Sequence, residues 1–315
     1  MKIWDVYSAQ KDTASYVYKT PVFHSQTTND KLGLELFLKC ENLQKTGSFK
    51  IRGAANFLLQ KQKENKQIKG VVAASSGNHG QAVSYIAGKL KIPAVIVMPE
   101  GATPAKVNAS KSYGAKVEFC GRTSADRLKR AKEIASELDY IEVPPYDHES
   151  IIAGQGTIGI ELLEQLPQLE AVFVPVGGGG LISGIAFTIK ELRPDIHVIG
   201  VEPKNSNSMY ESFFGGSRVS LDKTDSIADG LLSLSPGELT YEIAKKYVDE
   251  IILVTEEEIK SALKSTLERF KLLAEPSGAV SIAGASQNNG HRFKKVAAVL
   301  SGGNADLSKI GAWIS

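Results

Sequence analysis

Four consecutive glycines form the pattern with the clearest chemical potential in this chain. They occupy positions 177–180, directly after the apolar run 171–176 and directly before a helical pattern. Glycine lets the backbone approach a bound group closely, and the first turn of a helix offers unpaired N–H groups and a positive dipole end. Leu181 adds a further N–H at this turn. The pattern therefore predicts a phosphate site. Gly184 falls one residue too late for the dinucleotide-binding fingerprint.

Two other apolar runs also end in small polar residues. The run 70–75 continues into Ser76 and Asn78, and the run 295–301 ends at Ser301. Either turn alone would fit ordinary helix capping. In open α/β sheets, however, ligands bind outside the carboxyl ends of the strands. Three such turns in one chain therefore predict a single ligand site at which they converge.

One lysine lies in a context suited to covalent chemistry. Lys50 follows a polar segment that contains Gly47 and Ser48, and the apolar residues Ile51 and Ala54 come after it. A lysine is most often solvated. A partly buried amine close to a phosphate site, however, can form a Schiff base with an aldehyde. Lys50 is therefore a candidate for covalent chemistry of this kind.

Alternating strands and helices must position these residues. The alternation predicts an α/β fold in which parallel sheets are covered by helices. A length of 315 residues suggests two domains. The block from about 70 to 147 holds four strand–helix units of its own, which favours a domain interleaved with a larger one. The predicted strands are 34–40, 70–75, 94–99, 116–120, 139–144, 171–176, 197–202, 250–255 and 295–301.

The composition excludes several other classes of protein. Thirty-seven basic and 35 acidic residues give a net charge of +2, which argues against a nucleic-acid-binding protein. Cys40 and Cys120 are too few for a disulfide framework, so a reduced compartment is expected. We find no signal peptide and no window with the ~18 apolar residues of a membrane-spanning helix. The sequence therefore predicts a cytoplasmic protein without membrane partners.

Six motifs together resemble those of the fold-type II pyridoxal-phosphate enzymes, specifically the threonine/serine dehydratase and serine racemase family. The resemblance covers nearly the whole chain, with the motifs in the family's order and spacing. It implies two interleaved open, mostly parallel sheet domains of the tryptophan synthase β-like architecture. The large cofactor-binding domain is then 1–69 plus 148–315, and the small domain is 70–147. The motifs are KTGSFKIRGA (45–54), SSGNHGQA (75–82), IAGQGTIGIE (152–161), PVGGGGLISG (175–184), ADG (228–230) and LSGGN (300–304).

The resemblance assigns roles to individual residues. Lys50 matches the lysine that holds pyridoxal 5'-phosphate covalently, and Phe49 matches the aromatic residue beside it. Asn78 matches the amide at the ring oxygen of the cofactor, and Ser301 matches the hydroxyl at the pyridine nitrogen. Ser76 matches the serine that faces the cofactor opposite the lysine. The phosphate cradle maps to Gly177, Gly178, Gly179, Gly180 and Leu181.

The resemblance implies an ammonia-lyase that converts L-threonine or L-serine into a 2-oxo acid and ammonia. Racemisation needs an acid–base group on each face of the α-carbon, and Ser76 offers one for the second face. Serine racemase activity therefore stays open, as does 3-hydroxyaspartate dehydration. Tyr146 stands where the racemases have asparagine, and dehydratases often carry a Tyr-Asp pair there, which favours a dehydratase. The resemblance also implies a homodimer and a small hydroxyamino-acid substrate.

A weak Mg²⁺ or Ca²⁺ site is also implied. Glu202 matches the metal-binding glutamate of animal-type racemases, and the Ser206 carbonyl is a second candidate ligand. Ser208 stands where those racemases have an acidic residue. One carboxylate with neutral oxygens makes a weak site.

Two alternatives from other classes remain. One is a β-replacement enzyme such as a cysteine synthase, although those usually have threonine before the Ser-Gly-Asn that here reads SSGNHG. The other is a Rossmann-type binding protein without catalytic activity. A Schiff-base absorption that borohydride removes would identify an enzyme, whereas a colourless protein would favour the binding protein.

Overall fold

The computed structural model contains two β-sheets, as the alternating pattern predicts. It describes residues 1–64, 67–75, 77–121, 123–288 and 292–314. The predicted α/β class and the mostly parallel sheets are confirmed. Each of the nine predicted strands overlaps an observed strand. The strands are β1 Val22–His24, β2 Glu35–Cys40, β3 Val71–Ala74, β4 Ala94–Met98, β5 Lys116–Phe119, β6 Ile141–Glu142, β7 Ala171–Pro175, β8 His197–Pro203, β9 Glu250–Val254 and β10 Lys295–Leu300.

Helices connect most successive strands. Single helical turns lie at Glu41–Leu43 and Asp229–Leu231, and a short π-helix spans Thr266–Phe270. The α-helices are α1 Ile3–Thr13, α2 Gln26–Leu32, α3 Lys50–Glu64, α4 Asn78–Leu90, α5 Pro104–Ser112, α6 Ser124–Leu138, α7 Glu149–Gln165, α8 Gly180–Leu192, α9 Ser208–Gly215, α10 Glu238–Tyr247, α11 Glu256–Ser265, α12 Pro276–Gln287 and α13 Leu307–Ile314.

The larger sheet has the order β1-β2-β10-β7-β8-β9. All its pairs are parallel except β1 with β2. Every residue of β7 is buried, because helices cover both faces of the sheet. The strand β1 was not predicted. It is a three-residue, partly exposed edge strand, and so short a segment has no periodic pattern.

The smaller sheet has the order β5-β4-β3-β6 and is parallel throughout. Its strands all fall within the predicted small domain, 70–147, whose boundaries stay a prediction. The chain enters this sheet after α3 and returns to the larger sheet through the segment between β6 and α7. Lys50, at the start of α3, therefore lies close to the first of these crossings.

A buried network of four charged side chains anchors the first turns of α3. The Arg52 guanidinium donates to both oxygens of Glu41, each at 2.8 Å, and its Nη1 lies 2.7 Å from Glu161 Oε1. The Lys39 amine lies 2.5 Å from Glu161 Oε2. All four residues are at most 4% exposed. Two cations face two anions, so the network is neutral and no charge is left unpaired.

Replacing Arg52 with methionine should destabilise the fold strongly. Arg52→Met keeps much of the side-chain volume but leaves two buried carboxylates with only Lys39 between them. Breaking a buried ion pair on one side typically costs about 3–5 kcal/mol. Chemical denaturation should show this loss in the free energy of unfolding. As a control, Arg193→Met removes an exposed pair with Asp195 and should leave the denaturation midpoint unchanged. Equal midpoints for both variants would contradict an anchoring role.

Candidate active site

The three predicted strand ends converge on one cavity between the two sheets. Its volume is about 430 Å³, within the range of cofactor and substrate sites. Ser76 lies outside the described residues, and its assignment stays a prediction. The other residues predicted to bind cofactor all line the cavity: Phe49, Lys50, Asn78, Gly177, Gly178, Gly179, Gly180, Leu181 and Ser301.

The glycine loop is closely packed, and a Cβ on Gly178, Gly179 or Gly180 would come within 3.0 Å of a neighbouring residue. Gly179 has φ of +95°, a left-handed conformation that favours glycine. A Cβ on Gly179 would lie 2.7 Å from the Met209 side chain and 2.8 Å from that of Thr240. The helix α8 begins at Gly180, so the loop ends at a helix N-terminus, where N–H groups are left without intrahelical partners. A bare backbone loop at a helix N-terminus fits a phosphate group.

The Lys50 amine is held at the boundary between the sheets. Its Nζ donates to the carbonyl oxygen of Pro145 at 2.9 Å and lies 5.1 Å from the centre of the Phe49 ring. Burial lowers the pKa of Lys50 to about 8, and the carboxylate of Glu275 opposes this shift. An amine of this pKa is partly neutral near pH 7 and can act as a nucleophile or a base.

A hydrogen-bonded chain fixes the Asn78 amide. Asn78 Nδ2 donates to Glu275 Oε1 at 2.6 Å, and Asn78 Oδ1 accepts from Asn304 Nδ2 at 2.7 Å. Asn304 Nδ2 also donates to the Thr46 carbonyl oxygen at 2.8 Å. Burial raises the pKa of Glu275 to about 7. The sequence did not reveal Glu275, because no local motif marks a residue that meets Asn78 only through the fold.

The segment before Lys50 is hydrogen-bonded directly to the residues that follow β10. The Phe49 N–H donates to the Ser301 carbonyl oxygen at 3.1 Å, and the Gly303 N–H donates to the Gly47 carbonyl oxygen at 2.9 Å. Ser301 is 3% exposed and follows β10 directly. These bonds fix the distance between the Ser301 hydroxyl and the first turn of α3. Lysine and serine thus belong to one rigid unit.

Glu202 is buried, and both of its carboxylate oxygens already accept hydrogen bonds. They accept from the N–H groups of Met209 at 3.1 Å and Tyr210 at 2.7 Å, in the first turn of α9. The Ser206 hydroxyl donates to the Leu231 carbonyl oxygen. No group of three or more His, Cys, Asp or Glu residues that could hold a metal occurs in the described ranges. Metal binding by Glu202 and Ser206 stays a prediction.

Two cationic side chains line the same cavity at its small-sheet side. The Lys106 amine on α5 lies 2.8 Å from the Asp229 carboxylate, which belongs to the large-sheet side. Arg127 on α6 is half-buried and donates to Ser124 Oγ and to the Thr123 carbonyl oxygen. Burial lowers the pKa of Arg127. Sequence reasoning did not identify either cation, because each lies on a helix with no distinctive motif.

Comparison with known proteins identifies the class. Residues 14–302 match the model of the family described as pyridoxal-phosphate dependent enzyme. The chain is 42% identical to the L-threo-3-hydroxyaspartate ammonia-lyase of Saccharomyces cerevisiae, over 99% of this chain and 95% of that protein. It is 43% identical to the L-threonine ammonia-lyase of Thermotoga maritima, over 97% of this chain and 76% of that one. The crystal structure of serine racemase from Dictyostelium discoideum superposes with a TM-score of 0.91 at 42% identity, over 98% of this chain and 99% of that one.

The chain therefore belongs to the family of pyridoxal-phosphate dependent enzymes. Within it, the chain falls in the fold-type II group that includes threonine dehydratases, serine racemases and hydroxyaspartate ammonia-lyases. Enzymes of this family use pyridoxal 5'-phosphate, as the resemblance implied. The cavity fits that group, because it combines a lysine amine, a glycine loop at a helix N-terminus and a buried hydroxyl. Among the helices described, none is long and apolar enough to cross a membrane.

The lowered pKa of Lys50 predicts how cofactor loading depends on pH. Only the neutral amine attacks an aldehyde, and lysine is neutral above its pKa. The rate at which apoprotein gains the visible absorption of bound cofactor should therefore rise with pH and level off above about 8. Stopped-flow absorbance would measure this rate. A rise centred near the ordinary value of 10.5 would contradict the burial of the amine.

Proposed function

We propose that this enzyme is an ammonia-lyase that converts L-threonine or L-serine into a 2-oxo acid and ammonia. The observation that carries the proposal is the Lys50 amine inside a cavity that also contains the glycine loop and Ser301. Tyr146 and Asp147 add support, since this pair favours dehydratases over racemases. The relatives named for ammonia-lyase activity are similar to this chain over nearly its whole length.

The proposed binding roles follow the geometry of the cavity. The glycine loop would hold the cofactor phosphate, and Lys50 would hold the cofactor covalently. Asn78, fixed by Glu275 and Asn304, would bind the ring oxygen through its amide. Ser301 would place a neutral hydroxyl at the pyridine nitrogen. Bound pyridoxal phosphate supplies an electron sink that acidifies the α-carbon of an amino acid.

Proton transfer in the proposed reaction falls to Lys50. Its released amine takes the α-proton, since burial gives it a pKa suited to a general base. The protonated amine then gives this proton to the departing β-hydroxyl, which leaves as water. The resulting unsaturated amine is hydrolysed to a 2-oxo acid and ammonia. The substrate carboxylate would bind at the first turn of α4, beside Ser75 and Gly77, where a helix N-terminus favours an anion.

Release of 2-oxo acid from a panel of amino acids tests this proposal. Purified holoenzyme is given L-threonine, L-serine, D-serine and L-threo-3-hydroxyaspartate, and the oxo acid formed is measured. We expect activity with L-threonine or L-serine, and loss of turnover by several orders of magnitude in Lys50→Ala. Chiral chromatography on the L-serine reaction measures D-serine at the same time.

The matched control is Lys61→Ala, which removes a lysine on the same helix that pairs with Glu64 at the surface. Normal turnover by Lys50→Ala would overturn the assignment. Rapid formation of D-serine with little oxo acid would instead support the racemase, for which Ser76 is the proposed second acid–base group.

A second substrate, 3-hydroxyaspartate, is favoured by the two cations of the cavity wall. A hydroxyamino acid with a neutral side chain has a single carboxylate, which would bind at the N-terminus of α4. Lys106 and Arg127 both place a cation at the cavity wall, where Asp229 pairs with Lys106 and Asp126 is an acidic neighbour of Arg127. A side-chain carboxylate of the substrate would bind at these two cations alongside the acidic groups. Arginine suits this role because its planar guanidinium binds a carboxylate with two parallel hydrogen bonds.

The variant Arg127→Met tests this second substrate. If Arg127 binds a side-chain carboxylate, kcat/KM for L-threo-3-hydroxyaspartate should fall about 100-fold, the loss expected for a charged hydrogen bond of roughly 3 kcal/mol. The value for L-threonine should change far less. Arg130→Met is the control, since Arg130 lies on the same helix and pairs with Glu118 outside the cavity. Equal losses on both substrates would remove the argument for an acidic substrate.

The resemblance predicts a homodimer, and the composition predicts a cytoplasmic location and no nucleic-acid partners; these stay predictions. Sedimentation at several protein concentrations would test the dimer. The predicted Mg²⁺ or Ca²⁺ site at Glu202 and Ser206 can be tested by calorimetric titration of metal-free protein with each cation.

A further inference from the structure

The ring of Tyr146 lies directly over the glycine loop. A Cβ added to Gly178 would overlap the ring carbons of Tyr146, and one added to Gly180 would lie 2.8 Å from the Tyr146 Cβ. Tyr146 belongs to the segment that carries the chain from β6 back to α7. The loop is thus covered by a residue of the crossing between the sheets and not by its own sheet.

The residues on either side of Tyr146 are fixed to the site as well. The carbonyl oxygen of Pro145 accepts from Lys50 Nζ at 2.9 Å. The Asp147 carboxylate accepts from the N–H groups of Glu238 at 2.9 Å and Thr240 at 3.1 Å, and so caps α10. The segment 145–147 therefore contacts the lysine, the glycine loop and α10 through three consecutive residues.

The glycine loop is also fixed from the other side. The Thr240 hydroxyl donates to the Gly178 carbonyl oxygen at 2.7 Å, and the Gly237 N–H donates to the same oxygen at 3.3 Å. Asp147 holds the turn that supplies both donors. Gly178 is therefore enclosed between the Tyr146 ring and the start of α10. Its position depends on both contacts.

We propose that Tyr146 is a positioning residue for the cofactor phosphate: its ring against Gly178, and its Cβ and backbone against Gly180, hold both glycines at a fixed place relative to the Lys50 amine. This inference rests on the proposed binding of the phosphate at residues 177–180. It deepens that proposal, because it names the side chain that gives the loop its shape. The aromatic ring, and not the hydroxyl, provides the contact with Gly178.

A double-mutant cycle between Gly178 and Tyr146 tests the proposal. The affinity of apoprotein for pyridoxal 5'-phosphate is measured by absorbance titration in the wild type, Gly178→Ala, Tyr146→Ala and the double variant. Gly178→Ala should weaken binding on the order of 10- to 100-fold, because its methyl group meets the ring in a packed site. In the Tyr146→Ala background, Gly178→Ala should reduce the affinity less than about threefold, because the ring that the added methyl group would meet is then absent. Tyr146→Leu replaces Tyr146→Ala in the cycle if the alanine variant does not fold.

Four further measurements make the cycle specific. Pyridoxal, which lacks the phosphate, should lose much less affinity in Gly178→Ala than pyridoxal 5'-phosphate does. Tyr146→Phe keeps the ring and should bind the cofactor with wild-type affinity. Gly101→Ala, at a glycine with open space around its Cα, is the control for a glycine-to-alanine change. Thermal unfolding of each apoprotein shows whether the fold is retained.

The possible failures are distinct. An equal loss from Gly178→Ala in both backgrounds, or a loss of affinity in Tyr146→Phe, would overturn the role of the ring. No effect of Gly178→Ala in either background would overturn the phosphate site and the inference together. Neither result depends on which amino acid the enzyme consumes, which the release of 2-oxo acid by the wild type measures separately.

Discussion

Close approach of backbone segments is the constraint on which this site depends. Strand ends from distant parts of the chain meet at the cavity, and glycine occupies the positions where they touch. A Cβ on Gly302 would overlap the Glu275 carboxylate, and one on Gly47 would overlap the Asn304 amide. Glycine costs conformational entropy on folding, so its use here needs a gain elsewhere. The gain is that backbone N–H and C=O groups of different segments come close together, whereas side chains at these positions would hold the segments apart.

The buried charges beneath α3 serve the same end. Lys50 is the first residue of that helix, and Arg52 belongs to the same turn. Because Arg52 is bound on two sides by Glu41 and Glu161, the first turn of α3 cannot rotate without breaking several charged hydrogen bonds. Charged pairs of this kind contribute little net stability compared with apolar packing, but they specify one geometry. The Lys50 amine requires a single geometry of this helical turn.

The sequence predicted the parts of this structure that are encoded locally. Apolar runs identified the strands of both sheets, and the glycine and serine turns that follow them identified the cavity. Lys50 was found because a short motif surrounds it. Glu275, Lys106 and Arg127 were not found, because each reaches the cavity only through contacts between elements far apart in the chain. The edge strand β1 was missed since it is short and half-exposed.

The contacts around the cavity differ in strength in a way that suits catalysis. Beneath the first turn of α3, the Arg52 network is shielded from water, and disrupting it is expensive. At the mouth of the cavity, the two sheet regions are joined by Lys106 and Asp229, whose side chains are 26% and 57% exposed. An exposed ion pair contributes at most about 1 kcal/mol. The joint between the two sheet regions is therefore much weaker at Lys106 and Asp229 than at the Arg52 network, which holds the first turn of α3.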